Sequence, residues 1–207
     1  MLISDQKKFI CLHVPRTGGI SMGRALRPWN GASHLDISGL PWEPEYPHYT
    51  AMEVLPLIGA DRFHRYFKFA FVRNPWERMV SRYFWLKRLP AEPGKPINRR
   101  GYFHPGDRSF ADWMTGQEQG CVHPLDLRPQ LEWLTDEAGE VCMDFVGRYE
   151  QLATDFNAVC ARLGLNASLP HDNRSEHGKY RDYYDAATRD FVADVFRRDV
   201  ELWGYQF

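Results

Sequence analysis

Three short apolar runs stand out along the chain, each followed directly by a turn of Gly, Pro or charged residues. They cover residues 9–14, 66–72 and 143–149. Continuous apolar runs of about four to eight residues that end in turn residues are typical of strands buried on both faces of a parallel sheet. The pattern therefore predicts three buried strands.

Segments with helical spacing or helix-capping residues alternate with these runs. They cover residues 20–27, 50–59, 75–89, 110–114, 124–134 and 150–163. Thr50 is an expected N-cap, Pro75 suits the first position of its helix, and Gly164 is an expected helix end. These segments predict six helices between and after the strands.

A last helix is predicted from Asp185, its expected N-cap. Phe191, Val195, Phe196 and Val200 follow at helical spacing and are predicted to form its apolar face. The stretches predicted to be irregular, because they are polar or rich in Gly and Pro, are residues 29–49, 90–108 and 171–183. Strands that alternate with helices favour an α/β fold with a central, mostly parallel sheet flanked by helices, formed as one domain over the whole chain.

Composition agrees with a folded protein. Of the 207 residues, 43% are hydrophobic and 14% aromatic, which excludes disordered, collagen-like and low-complexity classes. Lys and Arg together number 26 against 27 Asp and Glu, so the chain lacks the positive field that non-specific nucleic-acid binding needs. No apolar run approaches the ~20 residues that span a bilayer, so neither nucleic acid nor a membrane span is expected.

The four cysteines give no metal-binding pattern. Cys11, Cys121, Cys142 and Cys160 lie far apart, without a C-x-x-C pair, so we expect no zinc site. Free thiols in a reducing cytoplasm are the preferred interpretation, with a disulfide left open. The first eight residues do not have the pattern of a secretory signal peptide, which also favours a cytoplasmic location.

The first candidate site is the turn after the first predicted strand, residues 15–21, with the sequence Pro-Arg-Thr-Gly-Gly-Ile-Ser. Glycines let a ligand approach the backbone closely, and the N-terminus of the following helix favours an anion. Arg16 adds a cation, and Thr17 and Ser21 add hydroxyl groups, so the turn suits a phosphate. A turn without a ligand is the alternative. An ATPase or nucleotide kinase is disfavoured, because the G-x-x-x-x-G-K-[ST] loop is absent.

The second candidate site follows the second predicted strand, in residues 73–82. Arg73 ends the strand, and Ser81 lies about two turns into the next helix. The carboxyl ends of parallel strands meet ligands along one edge of a sheet, so we expect both loops to face one crevice. Arg73 and Ser81 would offer a planar cation and a hydroxyl group to a second phosphate. Arg78 and Arg82 are interpreted as solvated helix charges.

These two loops, in this order, resemble those of the PAPS-dependent sulfotransferases, especially the carbohydrate sulfotransferases related to the heparan 2-O and chondroitin enzymes. PAPS is 3′-phosphoadenosine 5′-phosphosulfate, the sulfuryl donor, and PAP is its product. Weaker resemblance extends to residues 145–150, 173–180 and 202–207. The resemblance implies a P-loop-kinase-like three-layer fold and sulfuryl transfer from PAPS to an acceptor hydroxyl group, with a carbohydrate expected and no metal required.

The resemblance also implies roles for individual residues. The first loop is expected to bind the 5′-phosphosulfate, and Arg73 with Ser81 the 3′-phosphate. The full set of implied cofactor-binding residues is Arg16, Thr17, Gly18, Gly19, Ile20, Ser21, Arg73, Ser81, Ser175, Lys179 and Tyr180.

Two positions depart from the family pattern. Arg16 stands where the family usually has Lys, and Ile20 stands where it often has Thr. The family's Lys is thought to support the bridging oxygen as the sulfuryl group leaves. Arg16 can donate to the same oxygen, but its pKa above ~12 makes it a poor proton donor. Catalysis with Arg16 as a catalytic residue is therefore expected, and a weak or inactive module that binds PAP or another nucleotide is the alternative.

Sulfuryl transfer also needs a base for the acceptor hydroxyl group, and neutral histidine suits this at pH 7. His48, between the two loops, is the expected base, and its position resembles that of the family's proposed base. His13 lies inside the first predicted strand and is interpreted as a packed residue near the cofactor. His123 is the second choice, and Glu53 or Glu150 are carboxylate alternatives.

Residues 73–108 contain nine basic and three acidic residues. Two interpretations are left open: a solvated surface, or a surface that guides an anionic acceptor such as an acidic glycan.

Overall fold

Strands and helices follow one another in the order expected from the sequence. The structure is a computed structural model that describes residues 1–31, 48–89, 104–115, 126–170 and 177–207. Its strands are β1 Leu2–Ser4, β2 Phe9–Cys11, β3 Phe67–Val72 and β4 Phe145–Arg148. Its α-helices are α1 Gly19–Leu26, α2 Ala51–Ile58, α3 Ala60–Arg65, α4 Pro75–Lys87, α5 Phe110–Thr115, α6 Leu152–Leu163, α7 Ala186–Val195 and α8 Arg197–Trp203. Short 3-10 helices span Arg27–Trp29, Gln130–Trp133, Tyr149–Gln151 and Tyr180–Tyr183.

The four strands form one mixed sheet in the order β1-β2-β3-β4. Strands β2, β3 and β4 are parallel, and β1 pairs with β2 in the antiparallel direction at the edge. The three predicted strands are confirmed as β2, β3 and β4. The sequence pattern misses β1, because its apolar residues end at Ile3 and form a run shorter than the about four residues that indicate a buried strand.

The described residues divide into two compact units. The first lies within Met1–Arg73 and Gln130–Asn173 and contains the sheet with α1, α2, α3 and α6. The second lies within Asn74–Pro129 and Arg174–Phe207 and contains α4, α5, α7 and α8. One domain over the whole chain stays a prediction. Across the described ranges, every helix lacks the length or the apolar character that crossing a membrane requires.

Helices cover both faces of the sheet in the first unit. On one face, Phe69 of β3 belongs to a buried cluster with Met22 of α1 and Phe156 of α6. Each such buried side chain stabilises the fold by about 1.5–3 kcal/mol. On the other face, the Lys68 ammonium lies 5.5 Å from the ring centroid of Phe63 on α3. This arrangement is the predicted α/β fold, with a sheet between two helical layers.

The start of β4 is held to β3 by a carboxylate. Oδ2 of Asp144 accepts from the backbone N–H of Lys68 at 2.7 Å and from its ammonium at 3.0 Å. The backbone N–H of Asp144 donates to the Lys68 carbonyl at 2.8 Å. Further along β4, a Cβ at Gly147 would lie 2.5 Å from Cε1 of Phe71. These contacts fix the alignment of β4 on β3.

The predicted helix ends at Thr50, Pro75, Gly164 and Asp185 are all confirmed. The side chain of Thr50 accepts from the Glu53 backbone N–H at 3.2 Å, and the Glu53 carboxylate accepts from the Thr50 backbone N–H at 2.8 Å. This capping box starts α2. Helix α6 ends at Gly164, which is left-handed with a φ of 60°.

Two predicted helices differ from the observed ones. Over residues 124–134, the described part contains a 3-10 helix instead of an α-helix, because Pro129 disfavours helical backbone in the residue before it. The last predicted helix is broken into α7 and α8. Phe191, predicted on its apolar face, is exposed, and Val192 is fully buried instead.

In the second unit, α4 carries two buried arginines. The expectation of solvated charges at Arg78 and Arg82 is wrong, because they are only 2% and 6% exposed. Nε of Arg82 lies 2.8 Å from Oδ1 of Asp126, and Arg78 donates to the carbonyl oxygens of Asp126 and Arg128 at 3.3 and 3.1 Å. The Arg78 guanidinium also lies 4.8 Å from the ring centroid of Phe196. Helical spacing shows which side chains share a face, but not what packs against that face.

Candidate active site

The loop between β2 and α1 has an unusual backbone. Arg16 has a φ of 70° and Gly18 a φ of 89°, so both are left-handed. For Arg16, which has a side chain, this conformation costs about 1–3 kcal/mol, and residues held in it are enriched at functional sites. The Thr17 hydroxyl donates to the Val14 carbonyl at 2.8 Å, which closes the turn. Such left-handed positions turn successive backbone N–H groups toward one side and make a concavity suited to an anion.

Helix α1 begins at Gly19, directly after this loop. The first amide groups of a helix have no acceptor within it, and the helix dipole adds partial positive charge there. A Cβ at Gly19 would lie 1.7 Å from Nε2 of His13, and a Cβ at Gly18 would lie 2.9 Å from Cδ2 of Leu152. The packing beneath the loop therefore requires Gly19, and the left-handed φ of 89° favours glycine at position 18, in addition to the ligand approach inferred from the sequence.

Arg73 reaches this loop from the end of β3. Its Nη1 donates to the Arg16 carbonyl at 3.2 Å, and its guanidinium lies 3.9 Å from the ring centroid of Tyr149. The residue is 3% exposed. A guanidinium has five N–H donors in a planar fork that matches the oxygens of a phosphate. The structure thus brings Arg73 and the first loop together, as expected for consecutive parallel strands.

The backbone of Arg73 is held by Gln130, which no sequence motif singles out. Oε1 of Gln130 accepts from the Arg73 backbone N–H at 2.9 Å, and its Nε2 donates to the Arg73 carbonyl at 2.8 Å. Val72 is the last residue of β3 that pairs with β4, so one amide side chain takes the place of a neighbouring strand at the next residue. Tyr149 likewise contributes to the site without a role assigned from the sequence.

His48 lies against His13, just before α2. Its Nδ1 is 3.0 Å from the carbonyl oxygen of His13. Because a carbonyl oxygen only accepts, Nδ1 carries the hydrogen, and the neutral ring then has its acceptor lone pair on Nε2. The ring centroid of His48 lies 4.4 Å from that of His13 and 6.2 Å from that of Trp133, which is edge-on. These contacts fix both the orientation and the tautomer of His48.

His13 is neutral at pH 7. Burial is the main reason that the pKa of His13 lies well below its usual 6.5, and electrostatic interactions with His48, the amino terminus and Arg16 lower that pKa further. Its imidazole therefore adds no charge under the loop. His13 lies two residues after the end of β2 and not inside the strand as predicted, but its contact with Gly19 agrees with its interpretation as a packed residue.

The other implied cofactor-binding residues lie in both units. Ile20 is half-buried and Ser21 is buried in the first turn of α1, in the first unit. In the second unit, Ser81 is fully buried on α4, and Lys179 is exposed. Tyr180 is half-buried in the second unit, with its ring edge-on to that of Phe207 at 5.8 Å. Ser175 lies outside the described residues.

The alternative bases are less well placed or lie outside the description. The Glu53 carboxylate is occupied in the capping box of α2. Glu150 is exposed on the 3-10 helix after β4. His123 lies outside the described residues. Of the described candidates, His48 is the one held directly against His13, which supports the first loop.

Thiols and possible metal ligands add little to this site. Three cysteines are free, namely Cys11, Cys142 and Cys160, and Cys121 lies outside the described residues. Burial raises the pKa of the Cys11 thiol to about 12, so that thiol stays protonated. Among the residues that the structure describes, no three His, Cys, Asp or Glu side chains are grouped to hold a metal ion.

Loops of this kind, at the carboxyl ends of parallel strands, are typical of α/β proteins that bind phosphorylated ligands. Comparison with known families narrows this class. The model of the sulfotransferase family matches residues 1–206, and the chain belongs to that family. The resemblance stated from the two loops is therefore confirmed.

Individual relatives include carbohydrate sulfotransferases. Carbohydrate sulfotransferase 14 of Mus musculus is 27% identical over 181 residues, which cover 77% of this chain and 45% of the relative. The Danio rerio protein of the same name is 25% identical and is matched over 48% of its length. This chain therefore spans about half the length of these relatives. An uncharacterized protein of Archaeoglobus fulgidus is 29% identical over 114 residues, or 54% of this chain and 79% of that protein.

A solved structure supports the fold. The crystal structure of mouse sulfotransferase SULT7A1 complexed with PAP matches with a TM-score of 0.52 and 15% sequence identity. The match covers 96% of this chain and 86% of that one. The predicted sulfotransferase-type α/β fold is thereby confirmed.

Proposed function

We propose that this chain transfers a sulfuryl group from PAPS to a hydroxyl group of a carbohydrate. The observation that carries the proposal is the hydrogen bond from Arg73 to the Arg16 carbonyl, because it joins two segments expected to bind one bisphosphorylated donor. Membership of the sulfotransferase family supports the reaction type. The carbohydrate sulfotransferases among the relatives support the acceptor class.

The first loop and Arg73 would hold the donor from two sides. The backbone N–H groups of residues 17–20, with Arg16 and Ser21, would bind the 5′-phosphosulfate. Thr17 contributes its backbone N–H, since its hydroxyl hydrogen already bonds to Val14. Arg73 would bind the 3′-phosphate. The parts assigned to Ser81, Ser175, Lys179 and Tyr180 on that phosphate rest on the family resemblance.

In the proposed reaction, the acceptor oxygen forms a bond to sulfur while the bond from sulfur to the 5′-phosphate oxygen breaks. Nε2 of His48 takes the proton of the acceptor hydroxyl group, and the electron pair of the broken bond leaves with PAP. Arg16 and the amide groups of the loop stabilise the negative charge that develops on that phosphate oxygen. The products are a sulfate ester and PAP.

The general test is transfer from radiolabelled PAPS to a panel of hydroxyl-bearing glycans, with PAP release measured in parallel. We expect label on at least one glycan and PAP in equal amount. PAP affinity without transfer to any member would replace this proposal with the alternative, a nucleotide-binding module. Absence of both PAP affinity and transfer would contradict the proposal altogether.

The assignment of His48 has its own test. His48→Ala should lower kcat by about 10²–10⁴-fold, the usual contribution of a general base, while PAP affinity measured by calorimetry changes little. His64→Ala, which removes an exposed histidine on α3, is the matched control and should leave both quantities unchanged. Loss of PAP affinity in His48→Ala would instead assign His48 to donor binding.

Two further expectations belong to the proposal. Lys87, Arg88 and Arg108, which are exposed, would guide an anionic acceptor, whereas the other described cations of residues 73–108, at positions 73, 78 and 82, are buried. The cytoplasmic location stays a prediction, which fractionation of cells that produce the protein would test.

A further inference from the structure

Gln130 contacts Arg73 in a way that differs from ordinary core packing. One side-chain amide bonds to both backbone polar groups of Arg73, at 2.9 and 2.8 Å. The two residues are 57 positions apart, and Gln130 is fully buried. The pair of bonds fixes the peptide planes on both sides of the Arg73 Cα atom, from which the side chain departs.

The Arg73 side chain is restrained as well. Its Nη1 bonds to the Arg16 carbonyl, and its guanidinium stacks on the Tyr149 ring. Arg73 is thus fixed at its backbone by Gln130 and at its guanidinium by the first loop. A guanidinium binds a phosphate best when its two N–H groups already point at two phosphate oxygens. Holding Arg73 in one orientation before the ligand binds avoids the loss of side-chain entropy that ordering a free arginine would cost.

We infer that Gln130 is a positioning residue for donor binding, which acts by holding Arg73 toward the 3′-phosphate of PAP and PAPS. This inference rests on the proposed function. Gln130 itself does not touch the donor: both ends of its amide are used by the Arg73 backbone. Its removal would therefore weaken binding through Arg73, and would do so selectively for ligands that carry the 3′-phosphate.

The test measures binding of PAP and of adenosine 5′-phosphate, which lacks the 3′-phosphate, by calorimetry. Gln130→Ala should weaken PAP binding by about tenfold or more and change adenosine 5′-phosphate binding by less than about twofold. Gln130→Met removes both hydrogen bonds but keeps nearly the same side-chain volume, so a selective loss of PAP binding is expected here as well. Because it leaves little cavity at this buried position, this variant also carries the test if Gln130→Ala does not fold.

Two controls separate positioning from general destabilisation. Gln6→Ala makes the same change at an exposed site and should bind PAP as the unmodified protein does. Val159→Ala creates a cavity in the core of the first unit and lowers the melting temperature, but should keep the Kd for PAP within about twofold. With PAPS as substrate, Gln130→Ala should raise KM more than it lowers kcat.

Three outcomes would overturn the inference. Unchanged PAP binding by Gln130→Ala, in a protein that does bind PAP, overturns the role of Gln130 and leaves the proposed function intact. Equal losses for PAP and adenosine 5′-phosphate show that Gln130 does not act through the 3′-phosphate contact. An unmodified protein that binds no PAP overturns the proposed function together with this inference.

Discussion

At the scale of single residues, His13 connects the parts of the candidate site. Its carbonyl oxygen fixes the tautomer of His48, and its imidazole fills the space left by the absent side chain of Gly19. The sequence shows Gly18 and Gly19 as a typical phosphate-binding turn. It gives no sign that a histidine six positions upstream lies beneath the second glycine, because that contact depends on how the loop folds back over the strand end.

The contact between Gly19 and His13 predicts a strong effect of a single methyl group. Gly19→Ala should lower the free energy of unfolding by about 1–3 kcal/mol, the usual cost of overpacking, because the new Cβ would overlap the His13 ring. Urea denaturation measures this loss, and calorimetry should show weaker PAP binding as the loop shifts.

Gly31→Ala is the matched control for that experiment, because among the described residues a Cβ there would meet nothing nearer than a backbone oxygen, that of Ile3 at 3.6 Å. It should change stability by less than about 0.5 kcal/mol. Equal stability losses in the two variants would show that the His13 contact is not what requires Gly19.

At the scale of helices and strands, local signals predict elements well, but not the contacts between them. The capping box of Thr50 and Glu53 involves residues three apart, and the sequence shows it directly. The bonds of Gln130 to Arg73 and of Arg78 to Asp126 span 57 and 48 positions. A periodic sequence pattern does not contain contacts between residues so far apart. The sequence therefore gives no role to Gln130 and predicts an exposed charged face on α4, where the structure has buried arginines.

The buried pair on α4 is the basis of a prediction about stability. Asp126→Ala removes the carboxylate from the Arg82 guanidinium in a site where both side chains are less than 10% exposed, so it should cost about 3–5 kcal/mol. Thermal or urea unfolding of Asp126→Ala and of the unmodified protein measures this difference in the free energy of unfolding.

Asp190→Ala serves as the comparison, since it breaks an exposed ion pair with Arg189 and should cost about 0–1 kcal/mol. Should the two aspartate variants prove equally stable, the buried pair would contribute no more than a surface one.

At the scale of the whole molecule, the neutral His13 links folding to pH. The unfolded chain protonates this histidine near pH 6.5, whereas the folded protein does so only at a much lower pH. Between these values the unfolded state binds more protons, so the contribution of His13 to stability is fully present above about pH 6.5 and is lost as the pH falls.

We therefore expect the free energy of unfolding to decrease below pH 6.5, with His13 contributing up to about 1.4 kcal/mol per pH unit. Urea denaturation at several values between pH 7.5 and 5 measures the slope. His13→Gln cannot titrate, so its slope should be shallower by that amount. Parallel curves for the two proteins would refute this linkage.

The alignment of β4 on β3 determines whether a deletion before Tyr149 would disturb the candidate site. Adjacent side chains of a strand point to opposite faces, so a slip of one residue would reverse the whole of β4. Asp144 on Lys68 and Gly147 against Phe71 oppose such a slip at two points. The position of the Tyr149 ring is therefore set by residues two to five positions before it. A single-residue deletion in that short stretch would move the Tyr149 ring away from the Arg73 guanidinium, although every side chain proposed to bind the donor would still be present.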